Sequence, residues 1–297
     1  MIAALSSVTN YRAWRFFRDR PVDGAIALFG LILFSYAAHG GDQSSWGMMM
    51  AIIASLTAAL TSTEKLRFRA LAFACVLVGL TVWVNYYASA NHGFMIFWIA
   101  LALTLACATE AAEQEQSLRR NAGILLGLLL GFALVQKLRA DFYMDGDLLG
   151  GVLLKGEIYR NALGLILPDW PVKLVQYHSA AQILLLRPDA GSIDIAVPGL
   201  VLWLAGAMTI AALIAQGGLE IALLVRRRLG WVFHALLLGF VALVYSTRNE
   251  NVFLSMNCLL GYCLVEEDTK AARPIYALAI FYLLLASTIG LRPWIIV

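Results

Sequence analysis

Charge is what this chain lacks most. Of its 297 residues only 14% are Asp, Glu, Lys or Arg, and 61% are hydrophobic, whereas a soluble domain is about 25% charged and roughly 45 to 50% apolar. The deficit excludes a water-soluble globular protein and points to an integral membrane one, as does the mean hydropathy of +0.77. Also missing is any contiguous polar segment of the roughly 100 residues that a separate soluble domain needs, so residues 1 to 297 read as a single integral membrane domain. The formal net charge is only +3 and comes from scattered Lys and Arg with no basic stripe, which excludes nucleic-acid binding. Cysteine is scarce. Cys75 and Cys107 fall inside apolar runs and Cys258 and Cys263 inside another, without a second pair or a His cluster at zinc spacing, so buried thiols are expected. There is neither a repeat of solenoid period nor a low-complexity tract. No small-residue cleavage site follows the basic cluster Arg12, Arg15, Arg18 and Arg20, so the first apolar segment is expected to stay as an anchor.

What the chain does have is apolar runs near the roughly 20 residues that cross a bilayer. They cover 23–39, 45–61, 70–87, 94–108, 122–138, 193–225, 229–245, 251–265 and 275–296. The predicted fold is an all-α polytopic membrane helical bundle of about nine transmembrane helices. Lys and Arg gather in alternate loops: Arg12 to Arg20, Lys65 to Arg69, Arg119-Arg120, Arg226 to Arg228, and Lys270 with Arg273. Cations mark the cytoplasmic side, which predicts an inside N-terminus and an outside C-terminus.

That scheme puts residues 139 to 192 outside, yet the stretch is too apolar for an ordinary loop. Within 148–167, Leu149, Val152, Leu153, Tyr159, Leu163 and Ile166 fall near helical spacing, with Lys155, Glu157 and Arg160 elsewhere. One or two interfacial helices between the fifth and sixth spans are expected, the first closed by Pro168 and Pro171, the second over 172–186 ending at Pro188.

Chemistry is expected where ionisable groups end an apolar run, at Gln136-Lys137-Leu138-Arg139-Ala140-Asp141-Phe142-Tyr143-Met144 before the Asp145-Gly146 turn. An ammonium there either snorkels to water or, held among packed helices, loses solvation and becomes a usable base. In the first case Lys137 is an interfacial anchor paired with Asp141 one turn on. Glu220 sits inside the basic end of a long apolar helix and is costly there unless protonated, paired or hydrated; Arg226 to Arg228 are the simplest partners. The four histidines, His39, His92, His178 and His234, lie at unmatched depths, which disfavours haem. No ligand spacing supports a metal. Gly127 and Gly131 form a GxxxG pair suited to close helix approach, and Gly217-Gly218 can bend the sixth span before Glu220.

The stretch Phe132 to Phe142 followed by Asp145-Gly146, together with Gly218-Leu219-Glu220-Ile221-Ala222-Leu223-Leu224-Val225-Arg226 and then Phe233-His234, resembles motifs of the vitamin K-dependent gamma-carboxylase family. The shared region, roughly 23 to 262, corresponds to the horizontally transferred transmembrane (HTTM) domain. The resemblance implies that Lys137 is the base that deprotonates a reduced naphthoquinone, with Glu220 a further catalytic candidate and Arg139 and Asp141 beside the substrate. The large lumenal region of the animal carboxylases has no counterpart after Tyr262. Compact bacterial relatives share the helical core, which implies a bacterial inner membrane.

The competing expectation is a non-catalytic scaffold or accessory subunit of a larger membrane complex, packed against other integral membrane subunits and membrane lipids through its apolar faces. A transporter ranks third, because so few intramembrane charges are available for an ion path.

Overall fold

The computed structural model describes residues 12–39, 46–61, 63–84, 91–146, 149–150, 153, 163–165, 167–186, 198–247 and 250–289. Every regular element among them is helical. In chain order they are α1 (Arg12–Asp19), α2 (Pro21–His39), α3 (Trp46–Leu60), α4 (Glu64–Val84), α5 (Asn91–Cys107), α6 (Gln114–Arg139), α7 (Asp141–Met144), α8 (Trp170–Leu186), α9 (Gly199–Leu224), α10 (Arg226–Leu229), α11 (Trp231–Thr247), α12 (Asn251–Cys263), a 3-10 turn Glu267–Thr269, and α13 (Ala272–Thr288). Four of these contain segments long and apolar enough to cross a membrane: Pro21–Ala38, Glu64–Val84, Gln114–Arg139 and Gly199–Leu224. The remaining apolar helices, Gly47–Leu60, Gly93–Cys107, Trp231–Tyr245, Asn251–Cys263 and Ala272–Thr288, are shorter. All nine predicted runs thus coincide with helices, although length alone carries only four of them across a bilayer.

Five threonines inside these helices bond to their own backbone. Thr57, Thr81, Thr104, Thr209 and Thr288 each donate to the carbonyl four residues earlier, at 2.8 to 3.0 Å. The second lone pair of a helical carbonyl accepts each of these hydroxyls, whereas the buried Ser55 and Ser255 hydroxyls have no partner among the described residues.

The chain forms two compact units. The first comprises Met1–Leu129, Ala222–Val241 and Glu250–Leu291. Its centre is α12, buried continuously from Leu254 to Cys263 and in contact with α2, α5 and α13. At 13 residues it is about 20 Å long, and its surroundings are other helices on every side. Glycines let the neighbours in: a Cβ at Gly24 would fall 2.0 Å from the Tyr262 hydroxyl, which donates to the Phe17 carbonyl at 2.8 Å. That bond ties the amphipathic α1 to the bundle. Arg273, 3% exposed, reaches the same place, donating to Arg18 O at 2.9 Å, to Val265 O at 3.2 Å and to the Glu115 carboxylate. Glu115 also accepts from Arg119 at 2.7 Å, and Arg67 pairs with Asp23 at 2.9 Å. Cations that the sequence grouped by loop are therefore gathered into ion pairs within this unit.

The second unit comprises Leu130–Ile221, Ala242–Asn249 and Arg292–Val297. Leu149, Leu153, Leu163, Trp170, Leu174, Tyr177, Val201 and Ala205 form its buried cluster. The expected helix over 172–186 is present as α8; the expected one over 148–167, with Lys155, Glu157 and Arg160, lies mostly outside the described residues. Its apolar positions Leu149, Leu153 and Leu163 are nonetheless buried against α8 and α9. The turn after α7 needs glycine because Gly146 has φ +82°, and it passes close to the backbone of Gly206.

Candidate functional site

Within the second unit, the end of α6 lies alongside α9 in antiparallel register. Leu134 faces Gly217, whose absent Cβ would lie 3.8 Å from Leu134 Cδ2, and Gly131 faces Glu220, with 3.7 Å from a Cβ position to Glu220 Oε1. Gly146 against Gly206 continues the pairing beyond the end of α6. Side chains at i and i+4 share a helix face, so Gln216 and Glu220 both point at α6.

Gln216 connects the two helices. Its Nε2 donates to Leu130 O at 2.7 Å, and its Oε1 accepts from Lys137 Nζ at 2.5 Å. The orientation of the amide is unambiguous, since a carbonyl oxygen is acceptor-only in this role and an ammonium donor-only. Gln216 is 1% exposed and has no water to fall back on. Lys137 also lies over the ring of Tyr143, 5.4 Å from its centroid, and that ring is buried. An attraction between ammonium and aromatic face adds to the hold on the side chain.

Lys137 is therefore half-buried and turned back along the helix toward Gln216. This is the inward of the two alternatives open at the sequence level, and the partner is an amide of α9. The direction follows from helix geometry, because a side chain leans toward the N-terminus of its own helix. A lysine two residues from a C-terminal end can thus reach the level of the preceding turn. Arg139 and Asp141, expected beside it, are both exposed.

Glu220 belongs to the same face of α9 as Gln216. It is half-buried, and its Oε2 is enclosed with no hydrogen-bond partner among the described residues. The arginines expected to neutralise it are used differently: Arg226 donates to Leu223 O at 3.2 Å, and Arg227 lies 3.4 Å from a Glu266 oxygen. Two ionisable side chains of opposite sign and one amide consequently line a single helix pair, with the carboxyl opposite the glycine of a small-residue motif. Gly131 thus faces the carboxyl group of Glu220, where even a methyl would be in ordinary contact with it.

His234, part of the second motif, sits in the first unit. Its Nδ1 is 3.1 Å from Tyr276 Oη and its Nε2 is 3.3 Å from Thr269 Oγ1, and it is 3% exposed. With both ring nitrogens occupied and Trp231, Phe233 and Tyr276 around it, it ties α11 to α13. His178 is exposed on α8; the side chains of His39 and His92 lie outside the described residues. Among the described residues no group of three His, Cys, Asp or Glu is placed to hold a metal ion. The four cysteines are buried free thiols.

Gln216 is the residue that sequence reading passed over. An amide side chain in the otherwise largely apolar stretch 199–219, one turn before Glu220, was the available signal.

No protein-family model, no curated protein and no solved structure matches this chain.

Proposed function

We propose that this protein is a multi-pass integral membrane protein whose working centre is the Lys137–Gln216–Glu220 group. In this reading all nine apolar helices cross the lipid, α1 and the Arg226 to Arg228 turn face the cytoplasm of a bacterial cell, and the C-terminus is outside. The chemistry of the donor set is what supports a catalytic role. An amine and a carboxyl held within apolar helices can exchange protons with a bound substrate while shielded from bulk water.

The resemblance to the HTTM and vitamin K-dependent gamma-carboxylase family leads to the same lysine. Under that proposal the ligand is a reduced naphthoquinone, which would bring a two-electron redox centre that amino-acid side chains lack. Lys137 is the base, Gln216 orients its amine, and Glu220 accepts or supplies a proton on the same helix face. Arg139 and Asp141, both exposed, would serve at the entrance.

The observation that carries this reading is the bond from Lys137 to Gln216, because it turns the amine inward. The same observation favours a second reading. A glutamine bonded to both the backbone and the lysine of α6 is a helix clasp, which is what a non-catalytic accessory subunit needs to keep its shape among other integral membrane subunits.

Titration of a short-chain naphthohydroquinone into the purified protein in lipid nanodiscs separates the two. The enzymatic reading expects saturable binding that is lost in Lys137→Ala and retained in Arg120→Gln. Absence of binding to the unaltered protein, or binding indifferent to Lys137, rejects it and leaves the clasp.

A further inference from the structure

A different set of side chains in the first unit remains unexplained by either reading. Arg226 opens α10, and its guanidinium lies on the surface of α6 at Gly123: a Cβ on that glycine would be 3.5 Å from Arg226 Nη2 and equally 3.5 Å from Leu264 Cδ2. Arg119 stands one helical turn earlier, on the same face of α6. Two guanidinium groups therefore share one short stretch of helix; a methyl at 123 would only touch the second in ordinary van der Waals contact, but a longer side chain there would take its place.

Among the described residues the two groups are only partly satisfied: Arg226 donates from Nη1 to Leu223 O at 3.2 Å, and Arg119 from Nη2 to Glu115 Oε1 at 2.7 Å. A guanidinium has five N–H donors, and the Nε of both Arg119 and Arg226 is buried without a partner among the described residues. Two carboxylates approach. Glu115 is shared with the buried Arg273. Glu266 caps the 3-10 turn through its side chain and lies 3.4 Å from Arg227 Nε. The cations Arg119, Arg226, Arg227 and Arg273 thus outnumber the anions Glu115 and Glu266. Burial, opposed by Glu266 and reinforced by Arg227 and Arg119, holds the Arg226 guanidinium below its ordinary pKa.

Clustered, partly dehydrated guanidinium groups are stable when a polyvalent oxyanion bridges them, and phosphate matches their fork geometry with charge-assisted bonds. The level of Gly123 also matters. It opens the apolar segment of α6, where Ile124 and Leu128 are exposed as lipid-facing residues are. We infer that Arg119 and Arg226, seated across Gly123, form a binding site for a phosphoryl group, contributed by a phospholipid headgroup or by free phosphate.

The test is thermal unfolding of the detergent-purified full-length protein with phosphatidylglycerol, with phosphate-free diacylglycerol, with inorganic phosphate and with chloride at equal ionic strength. Stabilisation by phosphatidylglycerol beyond that by diacylglycerol, not matched by inorganic phosphate, identifies a lipid headgroup; an equal effect of inorganic phosphate, beyond chloride, identifies the free ion. In either case Arg226→Gln is expected to weaken the apparent affinity about tenfold or more, without melting earlier than the unaltered protein when no phosphoryl compound is present. Gly123→Leu is the second variant, since it fills the seat and leaves every charge in place, and it should lose the effect likewise. The inference is overturned if no phosphoryl compound stabilises more than its control, or if both variants keep the full shift. It is equally overturned if Arg226→Gln lowers the melting temperature by the same amount with and without phosphatidylglycerol, which marks a purely structural cation.

Discussion

Gly261 is pressed against Tyr276: a Cβ on the glycine would fall 2.6 Å from Tyr276 Cε1 and 2.7 Å from Leu237 Cδ2. The contact joins α12 to α13 and α11 at the centre of the first unit, and Tyr276 is also the residue that holds His234 Nδ1. Overpacking a filled core costs about 1 to 3 kcal/mol, which exceeds the roughly 1 kcal/mol that alanine gains over glycine in a helix. Gly261→Ala is expected to lower the melting temperature in detergent, whereas Gly239→Ala, with nothing within 4 Å, is expected to leave it unchanged or raise it.

Removing the Arg273 cation is expected to be costly. Its guanidinium bonds two backbone carbonyls and the Glu115 carboxylate in a buried setting, and truncating one partner of such a group typically costs about 3 to 5 kcal/mol. Arg273→Ala should fail to accumulate or should melt far below the unaltered protein. Lys270→Ala should have little effect, since the Lys270–Glu267 pair is solvent-exposed, where ion pairs contribute about 0 to 1 kcal/mol. Comparable expression and melting of the two variants would refute the assignment.

The acid side of the stability profile has a defined direction. The hydrogen bond from Arg18 holds the Asp19 carboxyl below its ordinary 3.8, burial opposing, and the bond from Lys270 does the same for Glu267, ordinarily 4.5. A carboxyl depressed in the folded state contributes stability above its unfolded pKa and loses it as pH falls through the folded one. Unfolding should therefore be insensitive to these groups at neutral pH. Asp19→Asn should flatten the acid limb below the ordinary carboxylate range slightly, a difference readable from melting curves collected at descending pH.

Lys137 and Gln216 should be energetically coupled. Interhelical polar contacts in membranes are worth about 0.6 kcal/mol on average and up to ~1.7, and a charged donor belongs at the upper end. A cycle of Lys137→Met, Gln216→Leu and the double variant should show a coupling of about 1 kcal/mol, while Arg139→Met with Gln216→Leu should be additive. Additivity in the first cycle would mean that the bond contributes nothing.

Helix placement was legible in the sequence because hydropathy records it. Among the described residues the run 193–225 contains Gly199–Leu224, and 229–245 became Trp231–Thr247. At α6 the bound differs because polar helix does not register in hydropathy: it begins at Gln114 rather than 122, since Gln, Glu and Arg are good helix formers. For the same reason α1, whose arginines looked only like a topology signal, is an amphipathic helix docked through the Phe17 and Arg18 carbonyls. The site was half legible. Lys137 and Glu220 stood out as charges at the edge of or inside apolar runs, but their neighbours in sequence proved to be poor guides to their neighbours in space. Asp141 and Arg226 were the nearest opposite charges along the chain, yet the lysine bonds an amide 79 residues away. Side-chain direction on two packed helices decides that, and one sequence without its fold does not contain it.

The central claim is that the amine of Lys137 is turned inward to Gln216. Its most direct measurement is the rate at which a water-soluble acylating reagent modifies each lysine of the folded, nanodisc-embedded protein, followed by peptide mass spectrometry. Exposed Lys65 supplies the reference rate. The expected result is acylation of Lys137 slower by about tenfold or more, equivalent to ~1.4 kcal/mol of protection, with the protection abolished by Gln216→Leu. Lys137 reacting as fast as Lys65 in the unaltered protein would contradict the account.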